Sequence, residues 1–224
     1  MFGRIKNSAD DRDWNGEKFL GAEKVMAAVN VRSQVWQIDH VLNQEKTNHC
    51  VGFSMAQFCV CLPMNTPYTE KDAHEIYYKA VEIEGDPSSE IGTTIRNGAK
   101  SLRARGRIQH YALFNAQSDM NSIINWVLTT GPIVVGTNWY DSMNNPNADG
   151  LVTSISGDIV GGHAYLLNGV DRDLGVFYFT NSWGEDWGLK GKFSMFIKDF
   201  EKVFREDGDA MVAVEVMPET IVSE

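Results

Sequence analysis

The sequence predicts an α+β fold because its helical patterns lie mainly in the first half of the chain and its strand patterns in the second. Apolar spacing predicts helices over 51–62, 71–83 and 94–105, with Thr69 and Asp72 as a capping box for the second and Thr94 as the cap of the third. From residue 133 onward, short runs rich in β-branched and aromatic residues alternate with turn formers and predict strands. A short helix over 199–205 precedes the last predicted strand, over 210–216. Such segregation along the chain is typical of α+β proteins.

The length and charge set outer bounds on the organisation and the partners. A chain of 224 residues buries roughly 70% of its unfolded surface, which is enough for one compact domain over 1–224. We expect an N-terminal arm over 1–30, a mainly helical lobe over about 31–115 and a mainly β lobe over about 116–224. Residues 1–15 are expected to be loose, and the spacing of Val25, Ala28 and Val29 predicts a short helix over 22–31. The net charge of −10, with no basic stripe, argues against nucleic acid and anionic membrane as partners.

Cysteine usage and the first residues indicate the compartment. The chain has three cysteines, and two of them, Cys59 and Cys61, lie within one predicted helix, so no disulfide framework is implied. The first residues contain no apolar signal region, and no run approaches 18 apolar residues. We therefore predict a cytoplasmic protein. No histidine or cysteine pattern has the spacing of zinc ligands, and we expect neither a metal nor a cofactor.

The segment over 43–62 places one thiol, Cys50, at the start of a helix that is apolar on nearly every face and is stopped by Pro63. Asn48 or Thr47 can cap its first turn, so Cys50 is expected among free backbone N–H groups, where a thiolate is favoured. We predict that Cys50 alone has a strongly lowered thiol pKa. Cys59 and Cys61 are interpreted as small buried hydrophobes.

Two downstream residues have the chemistry that a nucleophilic thiol requires. A thiol that attacks an acyl carbon needs a base, and the imidazole that acts as base needs a third group to orient it. His163 follows two glycines, and Asn181 begins the run Asn-Ser-Trp-Gly. His49 adjoins Cys50, but neighbouring helical positions diverge by about 100°, which makes it a poor base.

These motifs make the sequence resemble the papain-like cysteine peptidases. The resemblance rests on Gln44 six residues before Cys50, on Gly-His-Ala around His163 and on Asn-Ser-Trp-Gly-x-x-Trp-Gly from Asn181. It implies a two-lobed fold, with the cysteine on the helical lobe, the histidine on an antiparallel β lobe and the cleft between them. It further implies hydrolysis of a peptide or protein substrate through a Cys-His-Asn triad and a covalent acyl-enzyme.

The resemblance also implies roles for individual residues. Gln44 matches the glutamine whose amide contributes to the oxyanion hole, and Trp183 matches a tryptophan that shields the histidine–asparagine hydrogen bond. The substrate-binding region is expected around these residues: Gly161, Gly162, Ala164, Val135 and Trp183. The chain departs from the family pattern at Val51, where an aromatic residue is usual, and at Thr47, where the family has a disulfide-bonded cysteine.

Two other functions remain open at this point. The same covalent chemistry could serve another Cys-His amidase or acyl transferase, of the cell-wall amidase or transglutaminase-like kind. A non-catalytic binding module is the second alternative, although both the cysteine and the histidine are present.

Family members commonly carry a long inhibitory pro-segment, yet only 49 residues precede Cys50. The part before residue 31 is too short for a folded pro-domain, so we expect the full-length chain to be active as translated.

Overall fold

The structure is a computed structural model, and it describes residues 1–214. Its α-helices in that range are α1 (Ala22–Asn30), α2 (Cys50–Val60), α3 (Glu70–Glu84), α4 (Ile95–Ala104), α5 (Met120–Thr129) and α6 (Ile197–Asp207). Its strands there are β1 (Arg4–Ile5), β2 (Ser33–Val35), β3 (Thr93–Thr94), β4 (His110–Asn115), β5 (Ile133–Tyr140), β6 (Leu151–Val152), β7 (Ile159–Asp171), β8 (Val176–Thr180), β9 (Lys192–Phe196) and β10 (Asp209–Val214). The predicted last strand continued to residue 216, and its final two positions lie outside the described residues.

The main sheet is built around β7. Its strand order is β4-β10-β5-β7-β8-β9-β6, and β2 pairs with β7 as a further branch. All pairings in this sheet are antiparallel except that of β6 with β9. A separate two-stranded ladder joins β1 to β3 in parallel. The mainly antiparallel sheet beside a group of helices confirms the predicted α+β, two-lobed fold.

Two hydrophobic cores lie on opposite faces of the sheet. Side chains alternate between faces along a strand, so Val135, Tyr165 and Leu167 enter the core of the β lobe. Their neighbours Val134, Ala164 and Leu166 enter the second core instead, where they pack with α2. Every residue of α2 is buried, as expected for a helix that is apolar all round. The helical lobe is therefore fixed against the strand that carries His163.

Local sequence signals explain several helix ends. Thr69 and Asp72 form the predicted capping box of α3, and Gly85 ends that helix in the left-handed conformation. Thr94 accepts a hydrogen bond from the Asn97 N–H at the start of α4, as predicted. Asp119 caps α5 in the same way.

Some elements were not predicted. The short strands β1, β2, β4 and β6 lack a strong alternating pattern of their own. β2 and β4 join the main sheet although both precede the predicted lobe boundary at about residue 115, and the exact division of the chain stays a prediction. The prediction that residues 1–15 are loose is wrong, because Arg4–Ile5 pairs with Thr93–Thr94 and Arg4 is buried. No helix within residues 1–214 is long and apolar enough to cross a membrane.

Candidate active site

Cys50 is the first residue of α2, as predicted, but the cap differs from the prediction. His49 occupies the N-cap position without a side-chain hydrogen bond to the helix, so neither Asn48 nor Thr47 caps it. The Cys50 thiol is completely buried, and its sulfur accepts a hydrogen bond from the Gly3 N–H at 3.4 Å. The thiol therefore points out of the helix N-terminus toward the first residues of the chain.

His163 and Asn181 form a pair with a defined orientation. His163 lies on β7, and Asn181 directly follows β8, the strand paired with β7. Asn181 Oδ1 accepts from the Ser182 N–H at 2.8 Å, which identifies that atom as the oxygen of the amide. His163 Nε2 lies 2.8 Å from the same oxygen and must therefore carry a proton. In neutral imidazole the other nitrogen, Nδ1, is left as the base, and it has no hydrogen-bond partner among residues 1–214.

Aromatic rings enclose the His163 imidazole. The rings of Trp139 and Trp183 lie 4.8 Å and 5.0 Å from it, measured between centroids, and the ring of Phe2 lies 5.7 Å away. Trp183 is thus in contact with the histidine whose hydrogen bond it was expected to shield. The enclosure keeps water from the His163–Asn181 pair.

Gln44 is held so that its amide nitrogen faces the cleft. Its Oε1 accepts from the Ser182 hydroxyl at 2.6 Å, and its Nε2 donates to the Thr47 carbonyl at 2.8 Å. The second donor of Nε2 reaches the Met1 carbonyl oxygen at 3.1 Å. Ser182 therefore contacts Asn181 through its backbone N–H and Gln44 through its hydroxyl.

The cleft is occupied by residues 1–4, which we call the cleft segment. The Met1 carbonyl faces Gln44, the Phe2 ring packs on His163, and the Gly3 N–H reaches the Cys50 sulfur. Beyond the sulfur, the Gly3 carbonyl accepts from the Thr93 N–H at 2.8 Å. A peptide substrate could reach Cys50 only by displacing these contacts.

This arrangement argues against the expectation that the full-length chain is active as translated, because the first residues cover the nucleophile. The residues that cover the nucleophile are extended residues and not the predicted short helix, since α1 packs beside α5 instead. The sequence signal was weak because the cleft segment is too short to show periodicity.

The burial also changes the acid–base properties of the site. Burial raises the pKa of the Cys50 thiol, although the backbone N–H groups of Ala164, Gly3 and Val51 oppose the effect. Burial likewise raises the pKa of Cys59 and of Cys61 to about 12. It lowers the pKa of His163 to about 4, against the opposing hydrogen bond to Asn181. The prediction of a uniquely lowered Cys50 pKa is therefore wrong for this closed arrangement, in which the resting pair is thiol and neutral imidazole.

Four of the five residues predicted to bind substrate border the cleft segment or the thiol. A Cβ atom at Gly161 would lie 2.4 Å from the Phe2 Cβ, and one at Gly162 would lie 2.2 Å from the Arg4 carbonyl oxygen, so both glycines allow a peptide to approach β7. Ala164 contributes its backbone N–H near the thiol, and Trp183 borders the Phe2 ring.

Val135 does not line the cleft. Its side chain lies in the β-lobe core, because the alternation along β5 turns it away, and that prediction is wrong. Its neighbour Gly136 faces the cleft instead: a Cβ there would meet the Arg4 Nε and Asp209 Oδ1 atoms, each at 2.9 Å. Gly136 was not predicted because it is one position along the strand from Val135, and Asp209 was not predicted because it lies in no motif.

A second group of histidines lies beside Cys50 but outside the cleft. His49 Nε2 is 2.9 Å from Glu90 Oε2, and His49 Nδ1 is 2.7 Å from His74 Nδ1. The His49 ring stacks on Tyr77 with centroids 3.7 Å apart. Both ring nitrogens are thus engaged by other side chains, which agrees with the prediction that His49 is a poor base. No group of three or more metal-ligating side chains with suitable geometry occurs in the described part of the chain.

The comparisons with known proteins agree with this geometry. A family profile described as "Papain family cysteine protease" matches residues 60–207, about two thirds of the chain, a range that contains His163 and Asn181. The chain belongs to the papain family of cysteine proteases.

Among relatives of known description, a cathepsin B-like cysteine proteinase of Schistosoma japonicum is 33% identical over 91 residues, and a cathepsin B-like cysteine proteinase 3 of Ostertagia ostertagi is 26% identical over 140 residues. These alignments cover 39% and 60% of this chain, and 26% and 78% of the respective relatives. The match thus spans about a quarter of the length of the Schistosoma relative.

Solved structures share the fold. Xylellain, a cysteine protease from Xylella fastidiosa, superimposes with a TM-score of 0.74 at 19% identity, covering 95% of this chain and 96% of its own. Digestive procathepsin L 3 of the Tenebrio molitor larval midgut gives a TM-score of 0.60 at 14% identity, covering 82% of this chain and 69% of its own. At such identities the similarity concerns the fold.

Proposed function

We propose that this protein hydrolyses peptide bonds through Cys50, His163 and Asn181, and that the cleft segment holds it in a blocked state. One observation carries the proposal. A stretch of the chain's own backbone lies in the cleft, with a carbonyl oxygen on Gln44 Nε2 and an N–H on the Cys50 sulfur. The cleft therefore accommodates an extended peptide across the nucleophile.

The reaction follows from the positions of the groups once a substrate replaces the cleft segment. His163 Nδ1 accepts the thiol proton, and the sulfur attacks the carbonyl carbon of the substrate. Gln44 Nε2 and the backbone N–H groups at the start of α2 stabilise the oxyanion. The C–N bond breaks as the proton passes to the leaving amine, and water then hydrolyses the thioester, which releases the acid and restores the thiol.

Asn181 supports this sequence by holding the imidazole with Nδ1 free. A neutral amide is adequate for the role because a thiol gives its proton to imidazole far more readily than a hydroxyl does, so the imidazolium needs no carboxylate to stabilise it. Asn181 therefore contributes orientation rather than charge.

The test is hydrolysis of fluorogenic peptides by the full chain in which Arg4→Gln has released the cleft segment, with Cys50→Ala added as the inactive control. We expect amine release that depends on Cys50, with an acyl-enzyme detected by mass spectrometry after rapid acid quench. Transfer of the acyl group to added amines, with no hydrolysis in their absence, would favour the acyl-transferase alternative. Absence of any Cys50-dependent turnover across a peptide library would refute the proposal.

A further inference from the structure

The helical lobe presents a backbone donor to the segment that lies in the cleft. The Thr93 N–H donates to the Gly3 carbonyl oxygen at 2.8 Å, and β3 pairs in parallel with β1 at this point. An extended substrate that replaced the cleft segment would leave this donor unpaired unless one of its own carbonyl oxygens took the place of that of Gly3. The direction of the Thr93 N–H therefore matters for peptide binding.

Gly92, the residue before this donor, has a backbone that needs an external constraint. A Cβ at Gly92 would overlap the Gly3 carbonyl oxygen, and the φ angle of Gly92 is +122°, so both the close approach and the conformation require glycine. Glycine has the least restricted backbone of all residues, and the peptide group between Gly92 and Thr93 carries the donor. The loop before it, residues 85–91, is largely exposed.

The Tyr77 hydroxyl supplies the constraint. It accepts a hydrogen bond from the Gly92 N–H at 3.1 Å and donates one to the Ser89 carbonyl at 2.9 Å. One oxygen atom thus joins the two residues that flank the last bend before β3. Burial raises the pKa of Tyr77 to about 12, so the hydroxyl keeps its proton and donates at neutral pH.

The Tyr77 side chain is itself held in place. It is completely buried on α3, and its ring stacks on His49 with centroids 3.7 Å apart. A Cβ at Gly52 would lie 2.7 Å from the Tyr77 Cβ, so α2 and α3 approach closely where Tyr77 leaves its helix. The hydroxyl therefore has a fixed position relative to the start of the helix that carries Cys50.

Other contacts of the same loop act at different points. Asn48 Nδ2 donates to the Glu90 carbonyl at 3.0 Å. The Thr93 hydroxyl donates to Glu84 Oε2 at 2.9 Å, which holds its side chain through an exposed residue. Neither contact involves the Gly92 backbone, so neither sets the direction of the peptide group that follows it.

We propose that Tyr77 is a positioning residue for peptide binding, whose hydroxyl holds Gly92 so that the Thr93 N–H is aimed at a carbonyl oxygen of the bound peptide. The inference rests on the proposed peptidase function and adds to it a residue outside the cleft. In the closed chain the Gly3 carbonyl accepts this bond, and in the open enzyme a substrate carbonyl accepts it. Because Tyr77 acts through the backbone of other residues, it contributes to binding and not to the chemical step.

The first test separates binding from chemistry. The protein is the full chain with Phe2→Ala and Arg4→Gln, which release the cleft segment, and the probe is a fluorogenic peptide. Tyr77→Phe keeps the ring on His49 and removes only the hydroxyl, so it should raise KM about five-fold while kcat stays within about two-fold. Tyr78→Phe removes the hydroxyl of an exposed neighbour and should change neither value. An unchanged KM in Tyr77→Phe, or a loss confined to kcat, would overturn the proposal.

The second test identifies the acceptor atom. The same protein with Cys50→Ala is titrated with a synthetic peptide of residues 1–6, either unmodified or with a thioamide at the Gly3 carbonyl, since sulfur is a weaker acceptor than oxygen. The thioamide should weaken binding about five-fold in the protein with Tyr77 and less than about two-fold in Tyr77→Phe, where the N–H is no longer aimed at that atom. An equal effect in both proteins would contradict the proposal, as would failure of the unmodified peptide to bind when Tyr77 is present.

A third measurement needs no substitution of Tyr77 and decides the matter if Tyr77→Phe does not fold. In the protein with Phe2→Ala and Arg4→Gln, NMR should show the Gly92 amide proton exchanging with solvent at least about ten-fold more slowly, relative to its intrinsic rate, than that of the exposed neighbour Ile91. Equal protection of the two amides would show that the hydroxyl does not hold Gly92.

The outcome is distinguishable from that of the proposed function. The expected thioamide effects without hydrolysis by the Cys50-containing protein would refute the peptidase proposal and retain the role of Tyr77. Hydrolysis with the same KM in the Tyr77 and Tyr77→Phe proteins would do the reverse.

Discussion

Two buried histidines lie near Cys50, and they differ in the partners of their ring nitrogens. His49 adjoins the cysteine in sequence, yet its two ring nitrogens are engaged by Glu90 and His74. His163 comes from a distant strand, has one nitrogen on the neutral Asn181 amide and has its other nitrogen free of hydrogen-bond partners within residues 1–214. Burial lowers the pKa of both. A ring nitrogen without a hydrogen-bond partner in the described part of the chain, rather than proximity in sequence, marks the candidate base.

The largest expected effect is the loss of the base. In the protein opened by Arg4→Gln, His163→Ala should reduce kcat/KM by at least about 10³-fold, because the thiol loses its proton acceptor. His49→Asn should retain most of the activity, since its contacts lie outside the cleft. Steady-state hydrolysis of a fluorogenic peptide provides the measurement, with circular dichroism to verify the fold. Greater loss from His49→Asn than from His163→Ala would reverse the comparison.

A smaller effect is expected from substitution of Asn181, the hydrogen-bond partner of His163. Asn181→Ala should reduce kcat by about 10²-fold, because the imidazole loses its orientation while the nucleophile and base remain. Asn181→Asp preserves an acceptor for Nε2 and should recover part of the loss. If Asn181→Ala were as inactive as Cys50→Ala with an intact fold, the role of orientation assigned to Asn181 would be wrong.

The pKa values of the two histidines are also expected to respond differently to release of the cleft segment. In the closed chain the pKa of His163 is lowered to about 4, and removal of the overlying Phe2 ring should return it toward its ordinary value. Between these values the open form binds a proton that the closed form does not. Acidification from about pH 6.5 to 4 therefore favours opening, by at most about 3 kcal/mol.

Proton NMR of the histidine ring signals tests this prediction. In the unaltered chain His163 should resist protonation until near pH 4, whereas in Arg4→Gln it should titrate closer to 6.5. The pKa of His49 should be the same in both proteins, which makes it an internal reference. An equal shift of both histidines would indicate a general loosening of the fold instead of release of the segment.

The smallest effect concerns stability. His49→Ala removes a buried ring that stacks on Tyr77 and two of its hydrogen bonds, and it should lower the free energy of unfolding by about 2 kcal/mol. Glu90→Gln keeps the packing, weakens one charged contact at an exposed carboxylate and should cost less than about 1 kcal/mol. Chemical denaturation measures both. A larger loss from Glu90→Gln would mean that charge, not packing, fixes the histidine.

The sequence was sufficient for the parts of the site that carry distinctive local chemistry. Cys50, His163, Asn181 and Gln44 lie in motifs, and the structure brings all four to one cleft, while their catalytic roles remain proposals. The helices with clear caps, such as the one begun by Thr69 and Asp72, were also predictable.

Features that depend on tertiary contact were not predictable from local patterns. The first four residues have no periodicity, and only the assembled cleft gives them an extended conformation. Asp209 lies in no motif and becomes part of a pocket only because β10 pairs with β5. Val135 was predicted to line the cleft, whereas its neighbour Gly136 does so. The face of a strand cannot be assigned without its register. The cytoplasmic location stays a prediction.

The central claim is that residues 1–4 cover Cys50 and that Arg4 holds them in place. The most direct measurement is the rate at which iodoacetamide alkylates Cys50 at pH 7, located by peptide mapping, in the unaltered full chain, in Arg4→Gln and in the control Arg32→Gln, whose exposed ion pair lies far from the cleft. Release of the segment should expose the thiol at the helix N-terminus. We predict alkylation at least about ten-fold faster in Arg4→Gln than in the other two proteins, with Cys59 and Cys61 unlabelled throughout. Equal rates of Cys50 alkylation in all three proteins would contradict the account.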